Sequence, residues 1–374
     1  MFFYEKERGM YAVGIICELN PAHAGHGELI SKTRSAYPGA AVVAALSPNF
    51  VQRGEPAVYS KLVRARDALR LGADLVIELP TPFALSSAES FARAGVSLLV
   101  STGVVRAIAF GSESGGLSPL RRSAEILSSE RCEELTRRGL RLGLSYGAAR
   151  QAALEALYDG AEILKSPNNM LGVEYIRAAL AQNAPLEFFT VKRESDHSSS
   201  RLREILRARG APDAVFSEML NDAVLSRLRV MTARDFAEIR GSGDGLAERA
   251  AKYARTAGSL RSAEEAVKTK RYASSRVRRF LLCAALGIRD DLPTSPPYIR
   301  VLAAGGAGRA LLREIKRSAS LPVITKTSHA RRLGGDIPRL FELEAAATDL
   351  YNLAYHDPER RAGGAEWRTS PVME

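Results

Sequence analysis

Short β-branched runs alternate with amphipathic stretches through the first two hundred residues, and this restricts the chain to an α/β sheet of mostly parallel strands. Strands are expected over Ala12–Cys17, Ala41–Leu46, 75–79, 107–110 and 186–191. Helices are expected between them, over 27–35, 60–71, 86–100, 119–138 and 145–157. Strands separated by helices build βαβ units with both sheet faces covered. Right-handed crossovers bring the loops that follow the strands to one edge. From about Arg201 the pattern changes: 200–207 reads as a helix, Gly210-Ala211-Pro212 breaks it, and mostly helical sequence follows with Gly-rich connections at 241–245 and 305–308. With 374 residues, 46% of them hydrophobic, the chain can bury a substantial core in two domains. The expected architecture is a Rossmann-like nucleotide-binding α/β domain over 1–210, then a mostly helical basic domain over 211–374.

The motifs fall on the loops after the strands. His23 and His26 lie three apart around Gly25, in Glu18-Leu19-Asn20-Pro21-Ala22-His23-Ala24-Gly25-His26, between a buried strand and a helix. An open α/β sheet places its ligand at such a turn, with phosphates over the helix N-terminus. Imidazole N–H groups there would hold the negative charge of a phosphorus centre under attack; the alternative is a polar turn with capping histidines. After the second strand, 47–57 packs Gln52, Arg53 and Glu55 into a turn, where Arg53 suits a phosphate or carboxylate. Alternatively, Arg53 and Glu55 pair and brace the loop. Phe110-Gly111-Ser112-Glu113 ends the fourth strand with a glycine that admits a base or ribose. Asp74 and Glu78, at the ends of the third strand, read equally well as structural. Asn168 and Asn169 precede a helix: one caps it, leaving one amide to read an adenine or a ribose hydroxyl. Val191-Lys192-Arg193 closes the last strand, and His197-Ser198-Ser199-Ser200-Arg201-Leu202-Arg203 forms a helix N-terminus suited to β- and γ-phosphates, or simply a serine-capped loop.

The net charge is +11, and residues 261–339 account for all of it, with 17 Lys/Arg against 6 Asp/Glu. Such local excess is the electrostatic footprint of a nucleic-acid partner; the alternative is a generally basic, arginine-rich protein. No apolar run reaches the ~18–20 residues of a membrane span, and the charged start, in which Met10 is a second candidate initiator, is not a signal peptide. Cys17, Cys132 and Cys283 fit neither a disulfide framework nor zinc spacing, which points to the reducing cytoplasm.

In this order the motifs resemble the H-x-G-H nucleotidyltransferase superfamily, and more closely its tRNA(Met) cytidine acetate ligase family. That family's pattern runs roughly G-x-x-x-E-Y-N-P-F-H-N-G-H, S-G-x-F-x-Q-R-G-E-P-A, D-L-V-I-E-L-P, F-G-S-E and P-N-N-x-L-G. This chain matches at Gly14, Glu18, Asn20, Pro21, His23, Gly25 and His26, at Asn49-Phe50 and 52–57, at 74–80, at Gly111-Ser112-Glu113 and at 167–172. Lys268-Thr269-Lys270-Arg271-Tyr272 and Tyr298-Ile299-Arg300-Val301-Leu302 extend the resemblance into the helical half. Leu19, Ala22, Ala24 and Pro48 depart from the pattern, and the loss of its Phe and Asn at Ala22 and Ala24 bears on how the adenine or the acyl group is held.

The resemblance implies an ATP-binding catalytic domain and a tRNA-binding domain. ATP and acetate would give acetyl-adenylate, and the wobble cytidine amine of elongator tRNA(Met) would then take the acetyl group. His23 and His26 would be catalytic. Gly14, Glu18, Asn20, Gly25, Gly111, Asn168 and Arg193 would belong to the nucleotide site. Ser198 and Arg203 would meet the β- and γ-phosphates, bridged by Mg²⁺, and no protein metal site is expected. Lys268, Lys270, Arg271, Arg276, Arg278 and Arg279 would grip the tRNA backbone. A small-molecule nucleotidyltransferase and a catalytically silent RNA-binding protein are the rival readings.

Overall fold

The first apolar run forms β1 (Ala12–Cys17), an inner strand of an eight-stranded sheet. The computed structural model describes residues 10–193 and 199–374. On one side of β1 lie β2 (Ala41–Leu46) and β3 (Leu75–Glu78); on the other lie β4 (Val105–Ser112) and β5 (Glu187–Lys192). All these pairings are parallel. Every residue of β2 is buried, Ala41, Val43 and Ala45 in one core and Val42, Ala44 and Leu46 in another. A strand covered by helices on both faces has no solvent side, so it reads as a continuous apolar run rather than an alternating one.

The helices of this half are α1 (Ala24–Ala36), α2 (Lys61–Arg70), α3 (Ala88–Val100), α4 (Leu117–Leu127), α5 (Glu130–Arg141), α6 (Tyr146–Glu155), α7 (Pro167–Ala181) and α8 (Ser199–Ala208). The single helix expected over 119–138 is two, because Ser129 Oγ accepts the Cys132 N–H and starts α5 afresh. The helix expected over 27–35 begins three residues earlier, because His23 supplies its N-cap. Strand order runs β1, β2, β3 in one direction and then returns to place β4 on the far side of β1. That reversal opens a crevice at the C-terminal ends of β1 and β4.

Beyond residue 210 the main helices are α9 (Asn221–Arg229), α10 (Leu246–Ala254), α11 (Leu260–Val267), α12 (Ser274–Leu286), α13 (Gly306–Ser318) and α14 (Ile337–Asn352). This half also returns β6 (Ile299–Ala304), β7 (Val323–Ile324) and β8 (Val372–Met373) to the sheet. β6 pairs antiparallel with β3, and Glu78 sits directly opposite Arg300. Arg300, counted in the basic segment, is thus 2% exposed and pairs with Glu78 at 2.8 Å and with Glu366. Lys61 joins them at 2.6 Å from Glu78 and 2.7 Å from Glu366. Glu344 completes the cluster 3.9 Å from Lys61 and accepts from the Thr81 hydroxyl at 2.8 Å.

Candidate active site

The turn that leaves β1 is held by groups from four other segments. The buried Asn20 accepts the Val58 N–H at its Oδ1 (2.8 Å), and its carbonyl accepts from Arg203 Nη1 (2.8 Å). Glu18 Oε1 accepts the Gln52 N–H at 2.8 Å and the Ser47 hydroxyl at 3.4 Å. Burial raises the Glu18 carboxyl above its ordinary range against these donors. Beneath them lies Arg64, with no exposure, donating to the carbonyls of Tyr59 (2.8 Å), Glu18 (2.5 Å), Ser47 (3.0 Å) and Pro48. One planar guanidinium therefore gathers the chain ends of β1 and β2. An arginine in an amphipathic stretch reads as solvent-facing, so no sequence signal marks it.

His23 opens α1. Its Nδ1 accepts the Gly25 N–H, and His26 Nδ1 accepts the His23 N–H, each at 3.2 Å. The rings pack 3.8 Å apart at 34°. The capping alternative is thus what the geometry displays: both histidines cap the helix through Nδ1, and a neutral ring whose Nδ1 accepts carries its proton on Nε2. Burial, and then the charges of His23 and Arg193, hold His26 down to about 3, so the ring is neutral near pH 7. Two Nε2–H donors at a helix N-terminus suit charge developing on a phosphate oxygen.

His23, Gly25, His26, Gly111 and Arg193 share one open cleft of about 400 Å³, also lined by Glu28, Leu29, Val191 and Lys192, at the β1/β4 crevice. A Cβ on Gly111 would come within 3.0 Å of Arg193 Cγ, so the missing side chain makes room for the arginine stem. Among the described residues the Arg193 guanidinium has no hydrogen-bond or ion-pair partner, and it lines the cleft.

The other expected site residues lie around this cleft. Gly14 is in the middle of β1, where a Cβ would stand 2.6 Å from Leu99 Cδ1, so it serves the close packing of α3. Asn168 does not cap α7 and is not free: Glu113 accepts its N–H (3.2 Å), its Nδ2 (2.7 Å) and the Asn169 N–H (2.8 Å). Asn169 Oδ1 accepts from Ser114 N–H at 3.0 Å. Burial would raise the Glu113 carboxyl, but these donors outweigh it and the group lies below its ordinary value. Arg203 meets the Asn20 carbonyl and Ser200 Oγ (3.0 Å), bringing the start of α8 against the histidine turn. Ser198 and His197 lie outside the described residues.

The basic segment reaches this region through a small hairpin, Phe50–Val51 paired with Glu55–Pro56. Gly54, at φ 75°, closes it against α12, where a Cβ would fall 2.5 Å from the Arg279 nitrogen. Arg278 Nε donates to the Arg53 carbonyl (3.1 Å) and Arg279 Nη1 to the Gln52 carbonyl (3.0 Å). Arg276 pairs with Asp244 (3.0 Å) and Arg278 with Glu264 (3.4 Å). These three arginines of α12 are therefore engaged by the fold. Lys268, Lys270 and Arg271 are exposed, and no partner holds their side chains among the described residues. Tyr272 is buried, its hydroxyl donating to the Asp244 carbonyl. Arg53 and Glu55 form no ion pair with each other; Gln52 and Gly54 brace the loop instead. Among the described residues no helix is long and apolar enough to cross a membrane.

The HIGH Nucleotidyl Transferase family model matches this chain over residues 10–211 and 201–366. A tRNA(Met) cytidine acetate ligase of Syntrophomonas wolfei is 32% identical, over 97% of this chain and 99% of its own length. That of Caldanaerobacter subterraneus is 35% identical, over 92% and 96%. The crystal structure of Thermotoga maritima TmcAL bound with alpha-thio ATP superposes with a TM-score of 0.90 at 32% identity, over 97% of this chain and 99% of that one.

Proposed function

Because the chain belongs to the HIGH nucleotidyltransferases and, among them, to the tRNA(Met) cytidine acetate ligase family, we propose that it joins acetate to ATP as acetyl-adenylate and passes the acetyl group to the N4 amine of the wobble cytidine of elongator tRNA(Met), in the cytoplasm. The paired Nε2–H donors of His23 and His26, beside Arg193, which has no side-chain partner among the described residues, carry this reading. Acetate is a poor electrophile, and adenylation supplies it with a leaving group. As an acetate oxygen attacks the α-phosphorus, charge builds on the α-phosphate oxygens; each histidine donor removed from that position costs about 3–4 kcal/mol of barrier. Gly25 and Gly111 line the same cleft, while Glu18, Asn20, Asn168 and Arg203 shape the loops around it and Gly14 seats the strand below. Ser198 and Arg203 are assigned to the β- and γ-phosphates. Mg²⁺ would arrive on the triphosphate it neutralises.

In the same proposal residues 1–210 activate the acid and 211–374 hold the tRNA, with Lys268, Lys270 and Arg271 as phosphate contacts. Arg276, Arg278 and Arg279 instead position the loops beside them. The deciding assay is isotope exchange between pyrophosphate and ATP. We expect exchange that requires acetate and no tRNA, lowered at least 100-fold in His23→Ala and in His26→Ala. Exchange that needs a phosphorylated metabolite would mark a small-molecule nucleotidyltransferase, and no exchange a silent RNA-binding protein; either result overturns the proposal.

A further inference from the structure

One polar atom at the hairpin is left unanswered by the fold: among the described residues the buried Glu55 Oε1 has no hydrogen-bond partner. Leaving such a group unpaired is costly, and more so when it is charged. The hairpin does not need it. Gln52 N–H is bound to Glu18, α12 holds the Gln52 and Arg53 carbonyls, and Ala57 N–H reaches the Asn49 carbonyl at 2.9 Å. The charged groups that feel Glu55 are already occupied: Glu18 by Gln52 and Ser47, Arg203 by Asn20 and Ser200.

The position matters as much as the vacancy in its bonding. On one side the tip rests on the basic helix α12. On the other, Val58 N–H is bound to Asn20, three residues before His23. Next to it the Arg53 guanidinium is exposed, with no hydrogen-bond or ion-pair partner among the described residues. The hairpin thus joins the basic helix to the turn that carries the histidines. The exocyclic amine of cytosine is a donor whose ordinary protein partner is a Glu or Asp carboxylate.

Resting on the ligase reading, we propose that Glu55 receives the N4 amine of the acceptor cytidine and takes its proton as the amine attacks the acyl carbon, while Arg53 holds a neighbouring phosphate. In that step the N4 lone pair forms the C–N bond. The bond from the acyl carbon to the α-phosphate oxygen breaks, and AMP leaves with its electron pair. The amine proton passes to the Glu55 carboxylate and then to water. No other reactant is consumed.

The test compares the two half-reactions in Glu55→Gln, which keeps an acceptor oxygen but cannot take the proton at neutral pH. We expect unchanged melting temperature and acetate-dependent exchange within about threefold of wild type. Single-turnover transfer to tRNA should fall 100-fold or more, in the range of general-base contributions of about 10²–10⁴. Glu55→Asp, which keeps a carboxylate one methylene shorter, should fall less. Transfer within threefold of wild type overturns the inference. So does loss of exchange and transfer together with a lowered melting temperature, because the carboxylate would then be holding the hairpin. Wild-type exchange without wild-type transfer would overturn instead the ligase reading beneath it.

Discussion

His26 has two nitrogens with separate duties, and ordinary substitutions can take them apart. Its Nδ1 accepts the His23 N–H and so helps to start α1; its Nε2 is the donor left for substrate. Asparagine places an acceptor near the first position and nothing at the second, whereas glutamine does the reverse. His26→Asn is therefore expected to keep its melting temperature while losing 100- to 1,000-fold in pyrophosphate exchange. His26→Gln should lose about 1 kcal/mol of stability, as for a missing cap, and retain more of the exchange. Equal behaviour of the two variants in both assays would show that cap and donor are not separable. Because burial keeps the ring neutral down to about pH 3, Nδ1 remains an acceptor for the cap across the physiological range.

Two helices near the site begin on side chains distant in sequence. α2 starts where Asn49 Oδ1 accepts the Lys61 N–H at 2.9 Å, and α7 where Glu113 accepts the N–H groups of Asn168 and Asn169. The side chains of the residues immediately before them, Ser60 and Ser166, make no cap. The strand-end loops are thus fastened to the very helices whose orientation shapes the cleft. The connection between α11 and α12 is different, since Lys268, Lys270 and Arg271 face solvent. Replacing all three by Ala should weaken tRNA binding and flatten its dependence on log salt by about 2–3, with exchange unaffected. An unchanged salt slope would place the RNA elsewhere on the protein.

Across the whole molecule, the buried cluster of Lys61, Glu78, Arg300, Glu344 and Glu366 joins α2, β3, β6, α14 and the C-terminal segment. It contains three carboxylates and two cations. Burial, together with Glu78, pushes Glu344 up to about 8, whereas Lys61 and Arg300 overcome the burial of Glu366 and pull it well down. A carboxyl raised in the folded state binds its proton more tightly there than in the unfolded chain. Its contribution to stability is complete below about pH 4.5 and is lost as pH rises through about 8. Urea unfolding of wild type should therefore show a loss of up to about 1.4 kcal/mol per pH unit in that window, absent in Glu344→Gln. Parallel curves for the two proteins would remove Glu344 as the cause.

Local periodicity carried the sheet strands over 12–110, the helices between them and the change of character after residue 200, because each of these patterns is complete within a dozen residues. The H-x-G-H turn was legible for the same reason: its strand, its cap and its helix are contiguous. Arg64 and Arg300 show where that stops. Both are cations that local sequence does not mark as buried; yet one is enclosed by four carbonyls and the other by carboxylates more than sixty residues away in each direction. The cost of burying a charge is met only by partners that the completed fold delivers. The seating of β6 against β3, the spent amides of Asn168 and Asn169, and the stranded carboxylate of Glu55 likewise depend on contacts between distant segments, about which no window of sequence holds information.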